Sequence, residues 1–386
     1  MRMKFAVAAG RSGGTLIKGM MSNVPEPGLF KGFSASGQDV WVEEAQYKGK
    51  RGIVVSAVGA RCGKCFKADG DWSAIANTMV LIPRPGFNRD YLWYVLNNEA
   101  FWEKGGTAQP YVRFDESLTR AWNFPSETEQ AVIADFLDRE TSKADELMAK
   151  YEGLIERLEE KRLALISAAV TKGLDFAAPM KDSGGVGVEE VPVHWGVAAV
   201  WMLFEIGRGR VISHDDIRAN PGDYPVYSSQ TEANGEMGKI GTFDFDGDYL
   251  TWTTDGANAG SVFERHGRFN CTNVCGTLKP RSMVASLTYF QYALNIATKY
   301  FVRLDINPKL MNDVMARIRL PLPPADEQMK IVAHLGAALA SIRILRERME
   351  SAITLLREHR SALIAASVTG QIDVGTYRAA RARVSA

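Results

Sequence analysis

Cysteine is scarce in this chain: four in 386 residues. That is too few for a disulfide scaffold, and the expected setting is a cytoplasm with free thiols. Long hydrophobic runs are missing as well. The opening MRMKFAVAAGR is basic and then briefly apolar, but Phe5 to Ala9 is too short for a signal core and Arg11 interrupts it. No run reaches the length of a membrane span, so no membrane partner is expected. Charge of one sign is lacking too: 46 Lys and Arg stand against 45 Asp and Glu, net +1. Contact with a polyanion therefore has to come from local clusters, not from a general field.

Patterns for chemistry are equally thin. Cys62-Gly-Lys-Cys65 could be half a zinc site and Cys271 with Cys275 the other half, but the pairs lie far apart and do not coincide in the duplication described below. Gly59-Ala-Arg-Cys-Gly63-Lys64-Cys65 is one residue short of a P-loop between its glycines and lacks Ser or Thr after the lysine. The five histidines show no metal spacing, and Asp244, Asp246 and Asp248 lack the glutamate that closes a calcium loop. Neither an Asn/Asp-Pro-Pro-aromatic motif nor a glycine-rich cofactor fingerprint is present. Catalysis, and any metal or cofactor, is expected outside this polypeptide.

What the chain does have is a duplication. FPSETEQAVIADFLD (124–138) returns 198 residues later as LPPADEQMKIVAHLG, and EKRLALISAAVTKGLD (160–175) returns as EHRSALIAASVTGQID. Residues 124–176 and 322–374 share 18 identities in 53 positions; unrelated sequences would share roughly three. Both copies carry apolar residues at heptad spacing. One seam is Leu137, Ala144, Tyr151, Leu158, Leu165, matched by Leu335, Ile342, Met349, Leu356, Leu363; a second adds Leu147 and Leu154, mirrored by Leu345 and Ala352. Prolines stand only before each start, at Pro125 and at Pro321, Pro323 and Pro324. The spacing predicts two long helices, each on the order of 70 Å at the α-helical rise. Residues 124–176 hold 7 basic and 12 acidic side chains, and residues 321–386 hold 9 and 6. An acidic and a basic helix can pair antiparallel within the chain, or each can pair with a partner protein.

Between these helices the expectation is an α+β chain of two globular mixed α/β domains. Residues 1–123 form the first domain, with strands at Gly52 to Val58 and Asn77 to Ile82 and a short helix at Arg89 to Lys104. Residues 124–176 are the first long helix. Residues 177–320 hold a linker through Val191 and then a second domain, β-rich over Gly241 to Phe263, with its short helix at Ala285 to Thr298. Residues 321–374 are the second long helix, and 375–386 a tail. At an offset of 197, Gly10-Arg11 falls on Gly207-Arg208, Gly59-Ala60 on Gly256-Ala257, Gly63 on Gly260 and Pro83-Arg84 on Pro280-Arg281. Turn residues persist while surface residues differ, as in one scaffold carrying two reading surfaces.

The motif P-x-x-x-E-Q with I-x-x-x-L (Pro125, Glu129, Gln130, Ile133, Leu137), closing on K-R-x-A-L-I-x-x-A-V-T-x-G-x-D (Lys161 to Asp175), recurs at Pro323, Glu327, Gln328 and Arg360 to Asp373. It resembles the specificity subunits of type I restriction–modification systems. VPVHW (191–195) resembles that family's domain-opening P-x-x-W, and YPVYSSQTEANG (224–235) and DGANAG (255–260) also resemble it. The first domain lacks the P-x-x-W opening, and the second helix has His359 for lysine and Gln371 for glycine.

The resemblance implies two target-recognition domains, each reading one half of an asymmetric double-stranded DNA site. The two antiparallel coiled-coil helices would fix their spacing and dock two adenine-N6 DNA methyltransferase subunits, and motor–nuclease subunits would join the full complex. S-adenosylmethionine and ATP with Mg are then expected on partner subunits, not on this chain. Base reading needs side chains that fork to purine edges, with further cations and hydroxyls on phosphates. By that criterion the candidates are Lys48, Lys50, Arg51, Arg61, Lys64, Gln109 and Arg113 in the first domain. In the second they are Arg208, Arg210, Ser228, Ser229, Gln230, Asn258, Arg265 and Arg268. Two other readings remain open: the specificity subunit of another restriction class, and a coiled-coil scaffold with two protein-binding or ligand-binding domains.

Overall fold

The computed structural model describes residues 1–10, 21–282, 284–303 and 307–375. Arg11 and the tail beyond Gly375 therefore lie outside the described residues. Two compact units are present: Met1–Tyr151 with Glu350–Ala386, and Glu152–Met349. The architecture is mixed helix and strand, as expected.

The first unit runs β1 (Val7–Gly10), β2 (Phe30–Ser34), β3 (Gly37–Val42), β4 (Gly52–Ser56), β5 (Cys65–Ala68), β6 (Trp72–Ala74), β7 (Thr78–Pro83), α1 (Arg89–Leu96), β8 (Lys104–Gly105), β9 (Tyr111–Val112) and α2 (Phe114–Leu118), and enters α3 (Glu127–Lys172). One sheet has the order β1-β7-β4-β5 and a second β3-β2-β6, with β2 and β6 parallel. Every residue of β4 is buried, as its apolar run GIVVS requires of a central strand. Helix α1 starts at Asn88, whose side chain accepts from the amides of Asp90 and Tyr91. It stops at Leu96, well short of Lys104, because Asn97 turns its side-chain carbonyl to the Cys65 amide at 3.0 Å.

The second unit continues with β10 (Met180–Gly185), β11 (Val188–Pro192), β12 (Gly196–Ala199), α4 (Val200–Leu203), β13 (Phe204–Arg208), α5 (His214–Ala219), β14 (Pro221–Tyr227), β15 (Glu236–Ile240), β16 (Phe245–Asp246), β17 (Tyr249–Thr253), β18 (Val262–Arg265), β19 (Arg268–Cys271), β20 (Cys275–Pro280), α6 (Leu287–Ala297), α7 (Asn312–Arg317), β21 (Arg319–Leu322) and α8 (Ala325–Val368). The stretch expected as a linker is partly a hairpin, β10 against β11, turning on glycines 184 and 187 at positive φ. Its main sheet has the order β13-β20-β17-β18, and the other β15-β14-β19-β16, with β14 and β19 parallel. The main sheets repeat one strand order and the second sheets repeat one parallel pair, β16 being an addition in the second unit, so the sparse 197-residue repeat of glycines and prolines does mark one scaffold built twice.

Within each unit the two long helices run antiparallel. In the first, Asp145 of α3 meets Arg360 of α8 at 3.1 Å, and Leu137 and Leu363 share one core. In the second, Glu159 meets Arg346 at 3.3 Å, and Ile166 shares a core with Ile331 and Leu335. The buried stripe is the first heptad seam: Leu137, Ala144, Leu335, Ile342 and Leu363, with Leu158, Leu165, Met349 and Leu356 half-buried. The second seam is a correction. Leu147, Leu154 and Leu345 are 38%, 41% and 44% exposed, because a pair of helices covers one stripe and leaves the neighbouring one facing out. The membrane expectation also needs amending. Helix α8 holds an 18-residue window of mean hydropathy 1.2, apolar and long enough by composition to span. Of that window 22% is buried, and Ile331, Leu335 and Ile342 of the helix are buried in the second unit.

Candidate nucleic-acid interface

The loop after β4 is built on glycine. Gly59 and Gly63 have φ of +92° and +90°, and the Gly59 amide donates to the Pro110 carbonyl at 2.7 Å. That bond lays the loop holding Gln109 and Arg113 beside the turn holding Arg61 and Lys64, so these four candidates converge. All four are exposed. Arg61 donates to the Ser36 carbonyl at 3.2 Å, and Arg113 lies 3.4 Å from Glu116. Lys48, Lys50 and Arg51 belong elsewhere, at the opposite end of β4. Arg51 is held by Asp69 at 3.1 Å and Asp90 at 2.8 Å, and Asp90 is shared with Lys67 and Arg89. Burial alone would raise the Asp90 carboxyl. The Lys67 hydrogen bond and the charges of Arg89, Lys67 and Arg51 outweigh it and hold Asp90 below the usual carboxylate range.

The second unit repeats the construction. Gly256 and Gly260 have φ of +90° and +85°, and the Gly256 amide donates to the Pro308 carbonyl at 3.0 Å. Asn258 in this turn donates to the Ser229 carbonyl at 3.3 Å, drawing Ser228 and Ser229 alongside. Gln230 is exposed but its amide donates to the Glu236 carbonyl. Arg208 donates to the Asn273 carbonyl at 2.7 Å and lies 3.8 Å from Asp255. Lys309, 3.6 Å from Asp255, and Arg303, bridged to Lys309, join this cluster. Sequence reasoning missed both. The signal was Pro308, which stands 198 residues after Pro110 and closes the equivalent turn.

The remaining candidates separate. Arg210 pairs with Asp244 at 2.8 Å and Arg268 with Asp246 at 3.0 Å, while His266 meets Asp248 at 2.8 Å. The alternating aspartates thus balance bases one by one. Arg265 is a correction: it is 2% exposed, with its guanidinium 3.6 Å from the Tyr227 ring centre and Nε donating to Thr251 at 3.1 Å. Burial holds this guanidinium below its ordinary value, partly offset by Tyr227. Arg265 braces the floor of the 228–235 loop from below and has no route to a base edge.

All four cysteines are buried and free, and burial pushes the Cys65 thiol up. Among the described residues no three His, Cys, Asp or Glu gather as a metal site.

A family model for the type I restriction modification DNA specificity domain matches residues 192–354. The N-terminus S.MpnORF289P of a type I specificity subunit from Mycoplasma pneumoniae is 48% identical over 134 residues, 34% of this chain and 72% of that protein. The MpnII specificity subunit of the same organism is 47% identical over 136 residues, 35% of this chain and 41% of its own length. The matches span about half the length of most of these relatives. Two solved structures share the fold. One, from work on complex assembly and conformational transition of the type I system, has a TM-score of 0.72 at 12% identity, covering 96% of this chain and 97% of the other. The HsdS subunit of Thermoanaerobacter tengcongensis has a TM-score of 0.53 at 14% identity, with 96% of each chain covered. The chain belongs to the family of type I restriction–modification specificity subunits.

Proposed function

We propose that this chain is the DNA-reading subunit of a type I modification and restriction complex, with each unit reading one half of a bipartite, asymmetric site. The observation that carries this is the twice-built loop cluster. The same glycine turn, closed by the same proline carbonyl, presents Arg61, Lys64, Gln109 and Arg113 in one unit and Asn258, Ser229, Arg208 and Lys309 in the other. Identical scaffolding with different donors suits two different half-sites. By side-chain type, Lys64 and Lys309 are assigned to phosphates, Arg113 to either, and Arg61, Gln109 and Asn258, which can fork to purine edges, to bases.

Catalysis belongs to partners in this reading. The exposed leucines of the long helices, Leu147 and Leu355 in the first unit and Leu154, Leu163 and Leu345 in the second, are apolar surface suited to docking two methyltransferase subunits. Those subunits would bring S-adenosylmethionine, and motor–nuclease subunits would bring ATP and Mg. The test is selection from a random duplex library by the chain assembled with its methyltransferase subunits. Two fixed blocks separated by an unspecified gap are expected. A stable complex that enriches nothing would instead favour a protein-binding scaffold.

A further inference from the structure

The two units turn the same corner with different residues. In the second, the chain leaves β19 at Cys271 and enters β20 at Cys275, with the Cys275 amide donating to the Thr272 carbonyl at 3.0 Å. Strand β19 belongs to one sheet and β20 to the other, so a single turn joins them. The thiols meet across it. Cys271 donates a hydrogen bond to Cys275, and Cys275 Sγ lies 3.7 Å from the Tyr227 carbonyl oxygen. Both side chains sit in one small cluster with Tyr249 and Phe269, Cys271 at 0% exposure and Cys275 at 3%.

Buried Arg265 stands close by, against the Tyr227 ring. The groups whose ionised forms balance its charge are Tyr227, Cys271 and Cys275. The hydrogen bond from Cys271, with help from Thr272 and Arg265, holds the Cys275 thiol below its ordinary value although burial opposes this. In the first unit the strand register places Ala74 where Cys271 stands and Thr78 where Cys275 stands. Likewise Ala68 replaces Arg265 and Phe33 replaces Tyr227. The cation, the phenol and both thiols are thus present together or missing together, and the corner folds without them.

The corner also carries candidate DNA contacts of the second unit. Arg208 Nε donates to the Asn273 carbonyl at 2.7 Å, the Gly209 amide to the Cys275 carbonyl at 3.0 Å and the Arg210 amide to the Cys271 carbonyl at 3.1 Å. The Thr272 amide donates to the Tyr227 carbonyl at 2.8 Å, one residue before Ser228.

We propose that Cys271 and Cys275 are a peroxide-sensitive thiol pair that closes to a disulfide and so weakens reading of the second half-site alone. The regulatory part rests on the proposed function; the thiol chemistry does not. The Cys275 thiolate attacks hydrogen peroxide, the O–O bond breaks, and the departing hydroxide takes the Cys271 proton to become water. The Cys271 thiolate then attacks the sulfenic sulfur, the S–O bond breaks and the S–S bond forms. The second hydroxide is neutralised by the proton that Cys275 first released. Two thiols lose two electrons and two protons, and the peroxide leaves as two waters. Replacing a thiol contact by a covalent bond draws the ends of the corner together, and the hydrogen bonds to Arg208, Gly209, Arg210 and Tyr227 move with it.

The full chain is exposed to hydrogen peroxide until glutathione in the same tube is half oxidised, then denatured, alkylated, digested and weighed by mass spectrometry. The peptide holding Cys271 and Cys275 should lose two hydrogens and escape alkylation, dithiothreitol should restore it, and Cys62 and Cys65 should be alkylated throughout. Cys271→Ala and Cys275→Thr, the residues of the twin corner, should each abolish the change. Full alkylation of both cysteines overturns the proposal, as does equal oxidation of Cys62 and Cys65. In the assembled complex, oxidation should lower discrimination at the second block of the selected motif at least about tenfold, the worth of one base contact. The first block should be unaffected, and the Cys275→Thr complex indifferent to peroxide. A disulfide that forms while the second block is read as before overturns the regulatory part. A complex that selects no sequence even when reduced overturns the proposed function and the regulation with it, and the mass measurement then decides the thiol chemistry alone.

Discussion

Gln130 and Gln328 do the same work 198 residues apart. The side-chain carbonyl of Gln130 accepts from the Asn88 amide at 2.8 Å, and its NH2 donates to the Pro125 carbonyl at 2.9 Å. Gln328 accepts from the Ser286 amide at 3.1 Å and donates to the Pro323 carbonyl at 3.0 Å. Both are 1% exposed. Each glutamine thus ties the start of a long helix to the N-cap residue of the globular domain's own short helix. This is the physical content of the repeated Glu-Gln dipeptide: the glutamine locks the helix to the domain, while the glutamate beside it caps in one copy and receives Trp195 in the other.

Replacing either glutamine by leucine should leave a buried amide and a buried carbonyl without partners. A loss of about 1–3 kcal/mol is expected for each, read from chemical denaturation of the full chain. An unchanged denaturation midpoint in both variants would show that the lock contributes nothing.

The tyrosines one turn on provide a second pair. Tyr91 Oη donates to the Val368 carbonyl at 3.0 Å, and Tyr289 Oη to the Val170 carbonyl at 3.0 Å. Each domain's short helix therefore holds the end of the long helix from the other copy. Tyr91→Phe and Tyr289→Phe should each cost on the order of 1 kcal/mol, and hydrogen exchange should report faster opening at the last turn of the helix concerned. Protection unchanged in both variants would separate the tyrosines from helix-end stability.

Asp90 gives a pH dependence of definite sign. Its folded-state pKa lies below its ordinary value, so its contribution is present above the unfolded carboxylate pKa, about 3.9. That contribution is lost as pH falls through the depressed folded value. Asp90→Asn should destabilise the chain at pH 7 and flatten the loss of stability below about pH 4. Parallel stability curves for the two proteins would remove Asp90 from the acid response.

Much of this was legible in the sequence, for reasons that differ by element. The long helices were, because heptads and 18 shared identities leave little choice of structure. The twin domains were, through glycines that only left-handed turns require. Heptad spacing gives a period but not a phase, which is why Leu147, Leu154 and Leu345 were placed in the seam and lie outside it. Gln371 looked like the loss of a helix-ending glycine at the 198-residue offset. The structure supplies Gly370 instead, at φ +75° against +76° for Gly173, because the offset slips by one residue at the helix end. Arg265 could not be told from a surface arginine, since its burial depends on Tyr227 and Phe263 closing over it. Lys309 escaped notice because the turn it flanks is completed by Pro308, about 50 residues on from Gly256.

The two kinds of candidate contact are distinguishable by salt. In the assembled complex Lys64→Ala should weaken DNA binding across all sequences and reduce the slope of affinity against salt by about one. Asn258→Ala should relax one position of the second half-site, costing about 1–3 kcal/mol in discrimination with the slope unchanged. The reverse pattern would exchange the roles assigned to them.

Helix length offers a separate handle. Under the proposed function, adding one heptad to both α3 and α8 should lengthen the gap between half-sites and leave the half-sites themselves intact. Altered half-sites would dissociate recognition from the independent fold of each domain.

The most direct test is methylome sequencing of a methylation-free bacterial host that expresses this chain with its methyltransferase subunit. The account predicts N6-methyladenine at a single motif of two unlike blocks separated by a fixed gap. A palindromic motif, or no methylation despite a stable complex, would contradict it: the first because two different loop clusters would then read alike, the second because the chain would not be reading DNA at all.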